Sequence, residues 1–143
     1  MGMRINMNIS AFKESLNAQL DKLHAATRPA AQAGSEVIYQ RARINAPVSD
    51  ASHYFYIRGK KYGPYAPGTL KNAIYQVFSK DNSYKDVSTY HISFNKSEAP
   101  YGFIVHNGTS RTAADPFIAR SVVETRAQVR EAIKARYIAE VKK

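Results

Sequence analysis

The chain has 143 residues, 44% of them hydrophobic and 22% charged, which suits one globular domain and excludes disorder as its default state. It holds no cysteine, so disulfides, a thiolate nucleophile and a thiolate metal ligand are all excluded. The formal charge of +10 comes from 21 basic and 11 acidic residues spread along the sequence without a basic tail, a field that favours polyanions or acidic protein surfaces and specifies neither.

Residues 1–9 lack the apolar centre of a signal peptide, and no apolar run approaches a membrane span, so synthesis in the cytoplasm is the expectation. From 9 to 46 the pattern is helical: Ile9, Leu16, Leu23, Ala30, Val37 and Ile44 recur every seven residues, with Phe12, Leu20, Ala26 and Ala33 beside them. Ser10 marks its start, and Pro47 stops it by pushing Ala46 out of the helical region. Pro29 removes one backbone bond inside the pattern, so a bend near Thr27 to Pro29, or two collinear helices, is expected. The alanines at 25, 26, 30, 31 and 33 permit close approach of another helix or a sheet.

Residues 49–67 hold Tyr54, Phe55, Tyr56, Tyr62 and Tyr65 among Arg58, Lys60 and Lys61, punctuated by Gly59, Gly63, Pro64, Pro67 and Gly68. Turn residues at that density predict a long loop or hairpin arm, and a segment of that length in a compact domain is usually functional. The period then changes to two. Tyr90, Ile92 and Phe94 alternate with His91, Ser93 and Asn95, predicting a half-buried antiparallel strand. A preceding strand is expected over 73–80, ended by a turn at Lys80 to Ser83, and another over Gly102 to His106. A last helix is expected over 115–142, with Asp115 as its cap, Pro116 in its first turn, and Ile118, Val122, Val129, Ile133, Tyr137 and Val141 on its apolar face. The order of long helix, arm, antiparallel sheet of three to four strands at 73–107, and final helix predicts an α+β fold, with the sheet open or barrel-like.

Catalytic chemistry finds little support in these residues. His24, His53, His91 and His106 have no metal-ligand spacing, the carboxylates are scattered, and no serine sits in a nucleophile-elbow context. No catalytic, metal or cofactor residue is assigned. The concrete enzymatic alternative is a small metal-free ribonuclease using His91 or His106 as general acid or base. The arm is the segment with binding chemistry: Tyr54, Tyr56, Arg58, Lys60, Lys61, Tyr62 and Tyr65 suit a protein interface, since tyrosine is favoured at hot spots, or a nucleic acid, since rings stack on bases while cations meet phosphates. An arm folded onto its own domain is the plain alternative.

Four motifs in order, Ala46-Pro47-Val48, Gly68-Thr69-Leu70, Tyr101-Gly-Phe-Ile-Val-His-Asn-Gly108-Thr109 and Asp115-Pro116-Phe117-Ile118, resemble the small tail-completion, or head-to-tail joining, proteins of long-tailed double-stranded DNA bacteriophages and prophages. The resemblance runs over about residues 20–140. It implies a non-enzymatic virion protein without cofactor, a subunit of a ring, with six members expected, at the head-proximal end of the tail. Its implied partners are copies of itself, the connector or adaptor, the tail terminator or tail tube, and the duplex DNA crossing the channel; no membrane is implied. In the family pattern Gly-x-Leu begins the first strand a few residues after Pro-Val, whereas here residues 49–67 intervene. A carboxylate also usually precedes the Gly-Thr turn, where this chain has His106-Asn107.

Overall fold

The structure, a computed structural model, describes residues 2–143; Met1, at the head of the segment read above for a signal peptide, lies outside them. Its architecture is α+β, built on one long helix, α1 (Ser10–Asn45). Asn8 Oδ1 accepts from the Ser10 amide at 3.0 Å at the start. At the end Ala46 turns extended, its amide still bonded to the Ala42 carbonyl, before Pro47.

Two separate helices do not form at Pro29. The helix is continuous across it, because Ala26 and Ala30 on either side are buried and the elements packed against them hold the backbone in register.

The arm is a β-hairpin of β1 (His53–Ile57) and β2 (Lys60–Tyr65), turned at Arg58 and Gly59, which both have positive φ. After the short α2 (Thr69–Ala73) comes a second hairpin, β3 (Ile74–Tyr84) and β4 (Val87–Phe94). Four strands are present, but as two separate two-stranded sheets where one sheet of three to four was expected, and no barrel closes among the described residues. The expected Gly68-x-Leu70 strand start is α2, and the expected turn at Lys80 to Ser83 falls inside β3. There the Ser83 hydroxyl donates to the Ser79 carbonyl at 2.5 Å and accepts from the Thr89 amide at 2.9 Å, carrying the pair through an irregularity.

The strand expected over Gly102 to His106 is instead α3 (Gly102–Asn107). No neighbouring strand offers it a ladder, and its amides turn inward, Val105 to the Tyr101 carbonyl and Gly108 to Ile104.

The last helix is divided at Thr125 into α4 (Phe117–Glu124) and α5 (Arg126–Val141). Asp115 does not cap it: the cap position is Pro116, without a side-chain bond, and the Asp115 carboxylate pairs with Arg120 at 2.6 Å. The division also moves the apolar face. Phe117, Ser121 and Thr125 are buried, whereas Val122 is exposed and Ile133 only partly covered. Ser121 and Thr125 are tolerated there because each hydroxyl donates to the carbonyl four residues back, at 2.5 and 2.6 Å.

α1 lies between the C-terminal helices and the β3–β4 hairpin. Gly34 meets Ile133 and Val129, and Asn45 bonds Ser121, so α4 and α5 run antiparallel to it. On another side Ser35 donates to Gln76 at 2.7 Å, the Arg28 guanidinium covers the Phe78 ring at 3.9 Å, and Asp86 at the hairpin tip reaches His24 at 3.1 Å. The buried face of α1 is therefore made of small residues, Ala26, Ala30, Gly34, Ser35 and Ala42; of the seven-residue seam Ala30 is buried, whereas its large members Ile9, Leu16, Leu23 and Ile44 are exposed. The core gathers at the other end of α1, where Ala42, Ala46, Leu70, Ala73, Ile74, Phe94, Ala99, Tyr101 and Phe117 meet.

Candidate functional site

The C-terminal end of α1, α2, α3 and the arm enclose an open apolar pocket of about 290 Å³. Pro47 and Val48 form one wall because the proline ends the helix there. Gly68 and Leu70 form the second, the glycine holding φ +84° to start α2. Tyr101, Ile104 and Val105 form the third, and His53 and Phe55 of the arm close the top. Three motifs separated in sequence thus come together on one surface.

The arm is fixed to this pocket by aromatic contacts. The Tyr101 ring lies 4.7 Å from His53, edge to face, 5.0 Å from Tyr65 and 5.7 Å from Phe55, while Phe55 stacks on Tyr62 at 5.0 Å. Separations of this kind stabilise by roughly 0.5–1.5 kcal/mol per pair beyond the area buried. Tyr101 is 7% exposed, and burial raises the pKa of its phenol, an effect partly opposed by a bond with the Leu70 backbone.

Period-two alternation sorts the predicted arm residues into two sets. Tyr62 and Tyr65 face inward and belong to the fold. Lys60 pairs across from Ile57 on that same side, its ammonium 5.3 Å from the Tyr62 ring. Tyr54, Tyr56 and Lys61 face outward, with the Lys61 ammonium 3.9 Å over the Tyr54 ring, and Arg58 sits in the turn. The sequence reading missed His53 and Tyr101 as site residues. The signal was available for His53, which alternates with Phe55 and Ile57.

Among the other singled-out residues, Phe117 is wholly buried, 6.3 Å from Phe94, and Pro116 precedes it at the helix start. Gly108 and Thr109 lie outside the pocket and shape the loop after α3. A Cβ on Gly108, at φ +73°, would lie 2.7 Å from the Ala114 backbone nitrogen, and the Thr109 hydroxyl accepts from the amides of Arg111 and Thr112. His106, in the last turn of α3, stands edge-on to Phe117 at 5.5 Å with Nδ1 3.2 Å from Asn107 Oδ1, and His91 is exposed on β4.

A polar cluster ties α1 to α4 at the far side of this end. Glu124 Oε2 accepts from Asn45 Nδ2 at 2.9 Å and from Arg41 Nε at 2.8 Å, and these bonds, that from Asn45 foremost, hold the carboxyl below its ordinary value of 4.5. Among the described residues no group of three or more histidines and carboxylates is placed to hold a metal, and no helix is long and apolar enough to cross a membrane. Comparison with protein-family models, curated proteins and solved structures gave no match to this chain.

Proposed function

We propose that this chain is a structural virion protein, a tail-completion or head-to-tail joining subunit that forms a ring at the head-proximal end of a phage tail and links it to the connector. It acts without catalysis and without a cofactor. The observation that carries the reading is the convergence of Pro47, Gly68, Leu70 and Tyr101, the residues that bear the family resemblance, on a single apolar pocket at the surface. Residues kept only for folding have no need to leave such a pocket open, whereas an assembly subunit requires uncovered apolar surface for its neighbours.

The arm fits this reading as an element that is already ordered. Its inner rings are fixed by Tyr101, so outward Tyr54 and Tyr56 are presented on a rigid hairpin, and docking costs less conformational entropy than ordering a loose loop. Its place of action would be the neck of the virion after synthesis in the host cytoplasm. Deleting the gene from its phage tests the proposal: lysates should contain separate filled heads and finished tails, and added purified protein should join them into infectious particles. Normal particles from the deletion would refute it.

A second reading, contact with duplex DNA, is favoured by one observation, the grouping of Arg58 and Lys61 beside exposed Tyr54 and Tyr56 on the outer side of the arm. Each phosphate contact adds about 0.9 to the log-log salt slope of binding. Arg58→Ala with Lys61→Ala should flatten that slope by nearly two, and an unchanged slope removes the arm from DNA contact.

A further inference from the structure

α1 extends beyond everything packed on it. α5 ends at Val141 and the tip of the second hairpin reaches only His24, so residues 10–22 stand free over about 20 Å. One side of this overhang carries Phe12 (67% exposed), Leu16 (45%), Leu20 (42%) and Leu23 (37%). At 100° per residue these fall within one narrow stripe, and the stripe runs on into Ala30 and Gly34, where α5 docks on the same face. The overhang is thus a helix-docking face whose own helix stops short. It amounts to roughly 350 Å² of surface, within the range of the largest apolar patch on a typical monomer.

The pocket at the root of the arm lies at the opposite end of the same helix. α1 has 36 residues, so Phe12 and Pro47 are separated by about 50 Å. Residues 2–9, even fully extended, reach only about 28 Å, so a chain cannot fill its own pocket with this segment. An apolar knob at one end and an apolar groove at the other, on one rigid rod, are the two unlike halves of a head-to-tail contact, the kind that generates rings.

We propose that the occupant of the pocket is a second copy of this chain, the Phe12–Leu16 face of one subunit seating against Val48, Leu70 and Ile104 of the next. The inference rests on the ring-subunit reading and names its contact. Volume agrees, since about 290 Å³ accommodates one or two large apolar side chains. Charge also agrees: residues 10–23 carry two lysines and two carboxylates, a neutral piece of a +10 chain, and approach the basic arm without net repulsion.

Complementation between two full-length variants tests this. Phe12→Glu with Leu16→Glu disables the knob, and Val48→Glu, or Val48→Lys should the first misfold, disables the groove; all of these positions are exposed, and circular dichroism checks the fold. In sedimentation velocity the wild type should self-associate with concentration. Each variant alone should stay monomeric, its apparent Kd raised about 30-fold or more. Their mixture should form a 1:1 dimer and go no further, because it has one intact knob and one intact groove. A mixture that stays monomeric, a monomeric wild type, or a Val48 variant that dimerises alone through overhang-to-overhang pairing would each overturn the contact. Absence of the protein from virions would instead overturn the ring reading and leave the contact standing.

Discussion

Gly102→Ala measures how tightly the pocket floor is built. A Cβ there would lie 2.5 and 2.7 Å from two ring carbons of Phe94 and 2.9 Å from Leu70 Cδ1, all inside contact distance. Neither neighbour can move away freely, since Leu70 is buried and Phe94, held on β4 opposite Ile74, has the Phe117 ring 6.3 Å away. Overpacking of this kind costs about 1–3 kcal/mol. The opposing gain from replacing a helical glycine is at most about 1 kcal/mol, and smaller at Gly102 because it opens α3 rather than lying inside it. The expected net loss is about 1–2 kcal/mol, or a fall in Tm of roughly 3–7 °C at this chain length. Urea unfolding followed by circular dichroism, with an unchanged slope and a lower midpoint, is the measurement. Phe94→Leu made in the Gly102→Ala background should cost less than Phe94→Leu in the wild type, because it removes the atoms that clash. A Gly102→Ala protein as stable as wild type, or a double variant with simply additive losses, would refute the packing argument.

Other outcomes follow from the same contacts. Tyr101→Ala should cost about 3–5 kcal/mol and abolish hydrogen-exchange protection across 53–65, whereas Tyr56→Ala should change stability by less than about 0.5 kcal/mol and leave the arm protected. The Glu124 carboxyl is held below 4.5 in the folded state, so its contribution is fully present above that pH and is lost as pH falls through the folded value; Asn45→Ala should flatten the acid limb of a thermal-stability profile without altering its neutral plateau slope. Ser121→Val should destabilise by about 1–3 kcal/mol, because it removes the acceptor for Asn45 and places branched methyls against α1, a loss read by urea titration.

Periodicity made the elements legible and left their partners open. The seven-residue repeat from Ile9 to Ile44 located α1 correctly, yet of its members only Ala30 is buried: close approach of α5 selects Ala30 and Gly34, while the large Ile9, Leu16 and Leu23 lie beyond the end of α5. The run Phe-Ile-Val at 103–105 has strand propensity, but without an adjacent edge its backbone groups are satisfied only by turning into α3. Ser121 and Thr125 look like surface residues in a sequence, and their hydroxyls become core atoms only through the bonds they return to their own helix. For the site, the motifs did not show that Pro47, Gly68, Leu70 and Tyr101 meet at one pocket. That depends on α1 ending where α2 begins, a tertiary fact. The arm's residues were found as a group, and only the pairing of Phe55 with Tyr62 separated the rings that build the hairpin's base from those it presents.

The proposal that this chain is a neck subunit is tested most directly by cryo-electron imaging of the neck of a phage whose genome carries its gene. The account predicts a closed ring of this subunit between connector and tail, each copy's α1 overhang seated at the arm root of its neighbour. A neck resolved in full without this protein would contradict it.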